Sequence, residues 1–384
     1  MGFNVGIRNH TGCLSIIESN EWGVTDVIED YEYVSVHRDH DLDMEVVVSI
    51  YDSHIGPALG GTRILDYAST SLAVEDALNL SKAMAYKTAV SGVPLGGGKA
   101  VINHDSDEIT DKHLQRYGEI VEELGGYFLT GEDVNVGVEE VETIAEATDY
   151  ISGGTDGLGD PSPVTAYGVY RSIEASVEYR MDRGIDDVSV LIQGIGKVGK
   201  HLMEYLADSG AEVKIADPSG DKVEEAVEEY GVETVNVDEV YGAECDVFAP
   251  CALGGVLNSA TIPKLECSIV AGSANNQLEN RGHAELLEEH GILYAPDYVV
   301  NAGGLITIYH ELEGNTKDEA YEEAGEIPEK LLRIYERASE SGCTPLSVAE
   351  NFAEERMKDA GRTEDLEKES LRYVQGKTPG LQFD

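Results

Sequence analysis

Apolar positions along this chain follow two different periods, and the change between them divides it. Through Trp22 there is no clear periodicity, and that stretch reads as a poorly ordered arm. Two β-branched runs then flank the polar turn HRDHDLD: VSV after Tyr33, and EVVVSIYD from Glu45 to Asp52. They predict a hairpin. Gly56–Arg63 (GPALGGTR) reads as a glycine-rich connection. Val74, Ala77, Leu78, Met84 and Ala85 recur at helical spacing, which predicts a helix from about Ser71. Val101 and Ile102 predict a strand, Asp111–Leu124 a helix, Tyr127–Thr130 a short strand and Glu139–Ala147 another helix. SGGTDGLGDPSP, from Ser152 to Pro163, is dense in turn formers and is the expected linker.

Beyond it a long helical pattern runs from Val164 to Arg183, and strands then alternate with helices. Strands are expected at Val188–Gln193, Glu212–Ala216, Asp246–Ala249, Ser268–Ala271 and Ile292–Ala295. That alternation predicts an open parallel sheet. GIGKVG (Gly194–Gly199) stands between the first of these strands and a helix to Asp208, and Asp217 ends the next strand. This is the context that a dinucleotide site requires. Gly194 makes the tight turn, Gly196 admits a pyrophosphate to the helix N-terminus, and Gly199 lets helix and strand pack closely. Asp217 accepts from ribose hydroxyls and repels a 2′-phosphate, which favours NAD over NADP. The turns CALGG (Cys251–Gly255), GSANNQ (Gly272–Gln277) and NAGG (Asn301–Gly304) close later strands, where doubly wound sheets bind ligands. Each also fits ordinary turn chemistry.

The stretch MAYKTAVSGVPLGGGK, Met84–Lys99, sets two lysines in segments otherwise almost free of charge. A lysine so placed has an anionic partner or a lowered pKa, and both serve catalysis. A solvated lysine after a glycine-rich surface turn is the plainer alternative. Gly96, Gly97 and Gly98 strip a turn of β-carbons and permit close approach. A phosphate-binding P-loop is excluded, since it needs glycine at Val93 and Ser or Thr at Ala100.

Composition narrows the function classes. The 384 residues are enough for two domains, and 41% hydrophobic content indicates a folded chain. Acidic residues number 74 against 27 basic, a net charge of −47 spread along the whole chain. Such a coat repels nucleic acid and anionic membranes. It also self-repels unless salt screens it, so adaptation to concentrated salt is expected. The five cysteines, Cys13, Cys245, Cys251, Cys267 and Cys343, form no C-x-x-C pair and suit reduced, mostly buried thiols in a cytoplasm. No metal site, signal sequence or membrane span is expected.

GPALGGTR, AYKTAVSGVPLGGGKAVI, TGEDV, GDPSPVTAYGVY, APCALGG, AGSANNQL and APDYVVNAGGL occur in one order between about Tyr31 and Glu355. With these motifs the chain resembles the amino acid dehydrogenases acting on leucine, phenylalanine, valine and glutamate. The resemblance implies an α/β fold of two domains: an N-terminal substrate and oligomerisation domain, and a Rossmann-like doubly wound NAD domain. These are expected at 1–150, with 335–384 packing back on it, and at 160–330. It implies reversible, NAD-dependent oxidative deamination of an L-amino acid to a 2-oxo acid and ammonia by a homo-oligomer. Lys99 resembles the catalytic lysine that activates water, Asp133 the carboxylate that exchanges a proton with the amino group, and Lys87 the lysine that grips the substrate carboxylate. Two lysines in one pocket would depress each other's pKa. Thr165, Ala252, Asn275 and Asn301 resemble residues near the nicotinamide, and Lys197 and Val198 join the three glycines and Asp217 in holding the dinucleotide. Leu59, Gly131, Leu305 and Ile308 resemble side-chain pocket positions, with Asn301 orienting substrate. Glutamate enzymes carry lysine where Leu59 stands, so an apolar substrate is expected. Leucine, valine or isoleucine is favoured, with phenylalanine the alternative because a missing methyl at Gly131 would make room for a ring against Leu305. Glutamate dehydrogenase and a non-catalytic NAD-binding protein are the remaining readings.

Overall fold

The structure is a computed structural model that describes residues 6–8, 14–16, 30–154 and 157–360. The rest of the expected arm, including Cys13, lies outside the described residues. The chain forms two compact units: one takes the residues up to Gly159 and again from Ala353, the other runs from Asp160 to Phe352. The division falls inside the Gly- and Pro-rich stretch that begins at Ser152. The segment 335–384, expected on the first domain, is itself divided, because 335–352 belong to the second unit.

The first unit is built on one sheet, and the stretch without periodicity contributes to it. Strands β1 (Gly6–Arg8) and β2 (Leu14–Ile16) pair with each other, and β1 runs parallel to β3 (Tyr33–Asp39). Strand β4 (Met44–Asp52) returns antiparallel to β3 through a turn with Asp43 at φ 48°. The expected connection GPALGGTR contains β5 (Ala58–Leu59) and opens β6 (Thr62–Leu65). Helix α1 (Thr70–Ser91) starts under the side-chain cap of Ser69 and ends at Gly92, φ 95°. Strand β7 (Gly96–Asn103) then runs antiparallel to β4 and parallel to β5 and β6. Helix α2 (Asp111–Glu123), strand β8 (Phe128–Leu129) and helix α3 (Val138–Ala145) complete the unit. Both faces of the sheet are covered, so β4 reads as a near-continuous apolar run. Met44, Val46, Val48 and Ile50 pack with Tyr117, Val121 and Ile144 of α2 and α3, while Val47 packs with Ala73 and Ala77 of α1. Full burial of each large side chain stabilises by about 1.5–3 kcal/mol.

In the second unit helix α4 (Ser162–Met181) leads to strand β9 (Ser189–Gln193), helix α5 (Lys197–Asp208) and strand β10 (Glu212–Ala216). Helix α6 (Gly220–Tyr230) and strands β11 (Glu233–Thr234), β12 (Val247–Pro250) and β13 (Ile269–Val270) follow. After helix α7 (His283–Glu289) and strand β14 (Leu293–Tyr294) come helices α8 (Asp297–Val300), α9 (Gly303–Glu313), α10 (Lys317–Ala324) and α11 (Ile327–Ser341). The sheet is wholly parallel in the order β11-β10-β9-β12-β13-β14. Its order reverses between β9 and β12, which is where doubly wound sheets open a crevice at their carboxyl ends.

Helix α12 (Pro345–Ala360) brings the chain back into the first unit. There the Arg356 guanidinium donates to the carbonyls of Ala89 (2.7 Å), Gly92 (2.6 Å) and Val93 (3.1 Å), closing the C-terminal end of α1. A cation at a helix C-terminus also meets the negative end of its dipole. Cys245, Cys251, Cys267 and Cys343 are free thiols, and the last is exposed rather than buried. Among the described residues no helix is long and apolar enough to cross a membrane.

Candidate active site

The glycines before Lys99 lie within strand β7 rather than in a turn, and each is demanded by a neighbour. A Cβ on Gly97 would stand 2.0 Å from the Ala85 nitrogen of α1. One on Gly98 would stand 2.8 Å from the Phe128 ring, and one on Gly96 2.3 Å from the Asp52 carbonyl oxygen. Helix α1 therefore lies directly on β7 at Gly97. Lys87, two residues past Ala85, is half-buried near the end of α1, and Lys99 follows Gly97 by two residues on the strand. The alternative of a solvated lysine fails, because Lys99 is only 6% exposed.

The anion that Lys99 needs is Asp133: its ammonium donates to Asp133 Oδ2. Asp133 is fixed by a tight turn in which it and Val136 exchange backbone hydrogen bonds around Asn135 at φ 59°. Asn135 Nδ2 donates to the Ile64 carbonyl (3.0 Å), tying that turn to β6. Beneath it the buried hydroxyls of Thr62, Tyr117 and Thr130 are joined in one cluster that links β6, α2 and the end of β8.

Arg63, on β6, also reaches Asp133, which its motif did not single out. Its Nε lies 3.5 Å from Asp133 Oδ2 and its Nη1 3.0 Å from Asp76 Oδ2. Tyr67 donates its hydroxyl to the same Asp76 oxygen. Burial, the largest influence on Lys99, lowers its pKa from 10.5; Asp133 works against that and the Arg63 charge adds to it. Burial also disfavours the Arg63 charge, but Asp133 and Asp76 outweigh it and hold that pKa raised. Arg63 is thus a cation that acts with burial on Lys99.

Of the expected side-chain pocket, Leu59 is buried at 3% on β5. Gly131 does not open free space. A Cβ there would meet Ser152 Oγ at 3.0 Å and the Ser152 carbonyl oxygen at 3.2 Å, so Ser152 lies against it. Leu305 is buried and Ile308 half-buried on α9 of the second unit.

The dinucleotide residues converge at the reversal of the parallel sheet. Gly194 adopts φ 95°, and a Cβ on it would lie 2.6 Å from that of Ala252, so the turn after β12 sits against the turn after β9. A Cβ on Gly199 would lie 2.1 Å from the Gly194 carbonyl oxygen, whereas one on Gly196 would meet nothing within 4 Å. Open space thus lies over the start of α5, where exposed Lys197 and half-buried Val198 begin the helix. Asp217 Oδ2 accepts from the Ile195 N–H and Oδ1 from the Ser219 N–H, both at 2.8 Å. Each oxygen retains a second lone pair for a ribose hydroxyl. Asn301, only 3% exposed, donates to the Ser273 carbonyl (3.1 Å) and to Asn275 Oδ1 (2.8 Å). Its own Oδ1 is buried with no hydrogen-bond partner among the described residues. Such an orphaned acceptor is costly to leave unmet and fits a donor arriving with a ligand. The start of α9 at Gly303 and Gly304 backs onto Thr165, whose Oγ1 would lie 3.0 Å from a Cβ on Gly304. These residues fit a nicotinamide dinucleotide.

Residues 33–150 match the family model described as Glu/Leu/Phe/Val dehydrogenase, dimerisation domain, and residues 213–363 that described as Glutamate/Leucine/Phenylalanine/Valine dehydrogenase. The L-tryptophan dehydrogenase of Nostoc punctiforme is 43% identical over 323 residues, 84% of this chain and 92% of that protein. The leucine dehydrogenase of Thermoactinomyces intermedius is 41% identical over 339 residues, 87% of this chain and 93% of that protein. The crystal structure of L-tryptophan dehydrogenase from Nostoc punctiforme is similar with a TM-score of 0.81 and 41% identity, covering 89% of this chain and 100% of that one. The chain belongs to the Glu/Leu/Phe/Val dehydrogenase family and is an NAD(P)-dependent amino acid dehydrogenase, an oxidoreductase acting on the CH–NH2 group.

Proposed function

We propose that this enzyme oxidises an apolar L-amino acid, with leucine, valine or isoleucine first, to the 2-oxo acid and ammonia, using NAD. Leu59 carries the reading. A substrate side-chain carboxylate beside it would be desolvated without a partner, at a cost of several kcal/mol. Glutamate is disfavoured for that reason. An aromatic substrate is the second reading, favoured by the 43% identity with a protein named L-tryptophan dehydrogenase. Gly131, with Ser152 against it, decides neither reading.

Lys87 takes the substrate carboxylate, which keeps that lysine charged. NAD held by the second unit's residues would supply the acceptor for the hydride that leaves Cα. Asp133 exchanges a proton with the substrate amino group. Lys99, made easier to deprotonate by burial, takes the proton of the water that adds to the iminium carbon. Asn301 offers its unmet Oδ1 to a donor of substrate or carboxamide, and Thr165, Ala252 and Asn275 border the nicotinamide half. Gly194, Gly196, Lys197, Val198 and Gly199 hold the pyrophosphate, and Asp217 holds the ribose. The protein acts as a homo-oligomer in a salt-adapted cytoplasm.

The test is NAD reduction in high salt with L-leucine, L-valine, L-phenylalanine, L-tryptophan and L-glutamate side by side. Aliphatic substrates leading is the expected result. L-tryptophan or L-phenylalanine leading favours the aromatic reading, and L-glutamate leading overturns the argument from Leu59.

A further inference from the structure

Two cations reach one oxygen of Asp133. Lys99 Nζ donates to Oδ2, and Arg63 Nε lies 3.5 Å from the same atom. Oδ1 takes no hydrogen bond among the described residues, so the carboxylate is held by one oxygen and keeps the other to accept a proton. Arg63 is anchored in turn: Asp76 on α1 holds its Nη1 at 3.0 Å, and the Tyr67 hydroxyl fixes Asp76 from the other side. The chain Lys99–Asp133–Arg63–Asp76 alternates in sign. It balances while Lys99 is protonated and carries one net negative charge once Lys99 is neutral.

We propose that Arg63 is a positioning residue of this dehydrogenase, sharing Asp133 with Lys99 so that the carboxylate stays fixed and ionised when Lys99 gives up its proton. This rests on the reading of Lys99 as base and Asp133 as proton carrier. Without Arg63, Asp133 would belong to Lys99 alone, a pair that resists deprotonation of the lysine. With it, the same carboxylate serves both states of Lys99. The groups facing Lys99 are Asp133 from the turn after β8, Arg63 from β6 and Asp76 from α1. Helix α1 also carries the cations Lys82 and Lys87, and the neutral Ser49 is the neighbour of Lys99 in register on β4.

Oxidation of the faster of L-leucine and L-tryptophan with NAD, followed against pH for the wild type, Arg63→Gln, Arg63→Lys and Asp76→Asn, tests this. Removing a like charge makes Lys99 harder to deprotonate, so in Arg63→Gln the rising limb of kcat moves up by about one pH unit. Its kcat at the optimum falls about tenfold or more, with KM changing less. Arg63→Lys restores the position of the limb. Asp76→Asn removes an anion and moves the limb the opposite way, which keeps the test open even if Arg63→Gln folds poorly. A limb unmoved in both Arg63→Gln and Asp76→Asn overturns the proposal. So does equal loss of activity in Arg63→Gln and Arg63→Lys at an unchanged limb, the mark of a merely structural role. Lys99→Ala separates this from the underlying reading: if it still turns over, the assignment of the base fails whatever Arg63 does.

Discussion

Lys99 illustrates how one side chain draws its chemistry from its immediate surroundings. Burial pushes its pKa down from 10.5 and Asp133 pulls it back, so its state is a balance between desolvation and one ion pair. In the proposed mechanism oxidation requires the neutral amine. The rate therefore rises with pH through the Lys99 value, below 10.5, and levels above it. Lys99→Ala is expected to lose this limb and at least about a hundredfold in kcat, while fluorescence titration shows NAD still bound. Unchanged turnover would remove Lys99 from the mechanism. Lys99 stood out in the sequence through a contiguous, chemically odd motif and Asp133 through the resemblance of GED, and the structure joins the two as an ion pair. Arg63 did not stand out, since nothing in GPALGGTR says that its partners come from helix α1 and from the turn after β8. Gly131 raises a related point. A glycine in a sequence shows that a Cβ is missing, but not whether the space is empty or filled by Ser152.

At the scale of elements, the helix on the strand is the critical contact. Helix α1 and strand β7 touch through backbone at Gly97, where an added Cβ would meet the Ala85 nitrogen at 2.0 Å. No rotamer relieves that approach. Gly97→Ala is expected to force α1 away from β7, lower stability by about 3 kcal/mol and reduce activity with it. Thermal melting and turnover measured together check this, and an alanine variant of native stability would contradict the packing. The long periodic segments were legible in the sequence almost to their ends, as with the hairpin at Tyr33 and helix α2. The short strands β5 and β6 were not, because two and four residues interrupted by glycine carry too little alternation to register a period. Only the sheet pairing with β7 makes them strands.

For the molecule as a whole, charge governs behaviour outside the core. With 74 acidic against 27 basic residues, the native surface repels itself at low ionic strength, and the repulsion is screened over about 3 Å at 1 M salt. Melting temperature is expected to rise steadily as NaCl is raised from millimolar to molar levels, together with activity. A melting point independent of salt would show that the acidic coat imposes no such demand. The two-unit division followed from the change in periodicity, but the return of the chain to the first unit only at Ala353 did not. That return depends on which face of a late helix finds a partner.

The clamp that Arg356 places on the end of α1 also bears on how the chain is made. On a ribosome the N-terminal part of a protein ordinarily folds first. Here the guanidinium that closes α1 is synthesised 264 residues after Gly92, whose carbonyl it holds. The second unit, one uninterrupted segment, has left the exit tunnel before that arginine is available. Translation therefore finishes the unit that was begun second before the unit that was begun first, and the helix carrying Lys87 waits, uncapped, for nearly the whole nascent chain.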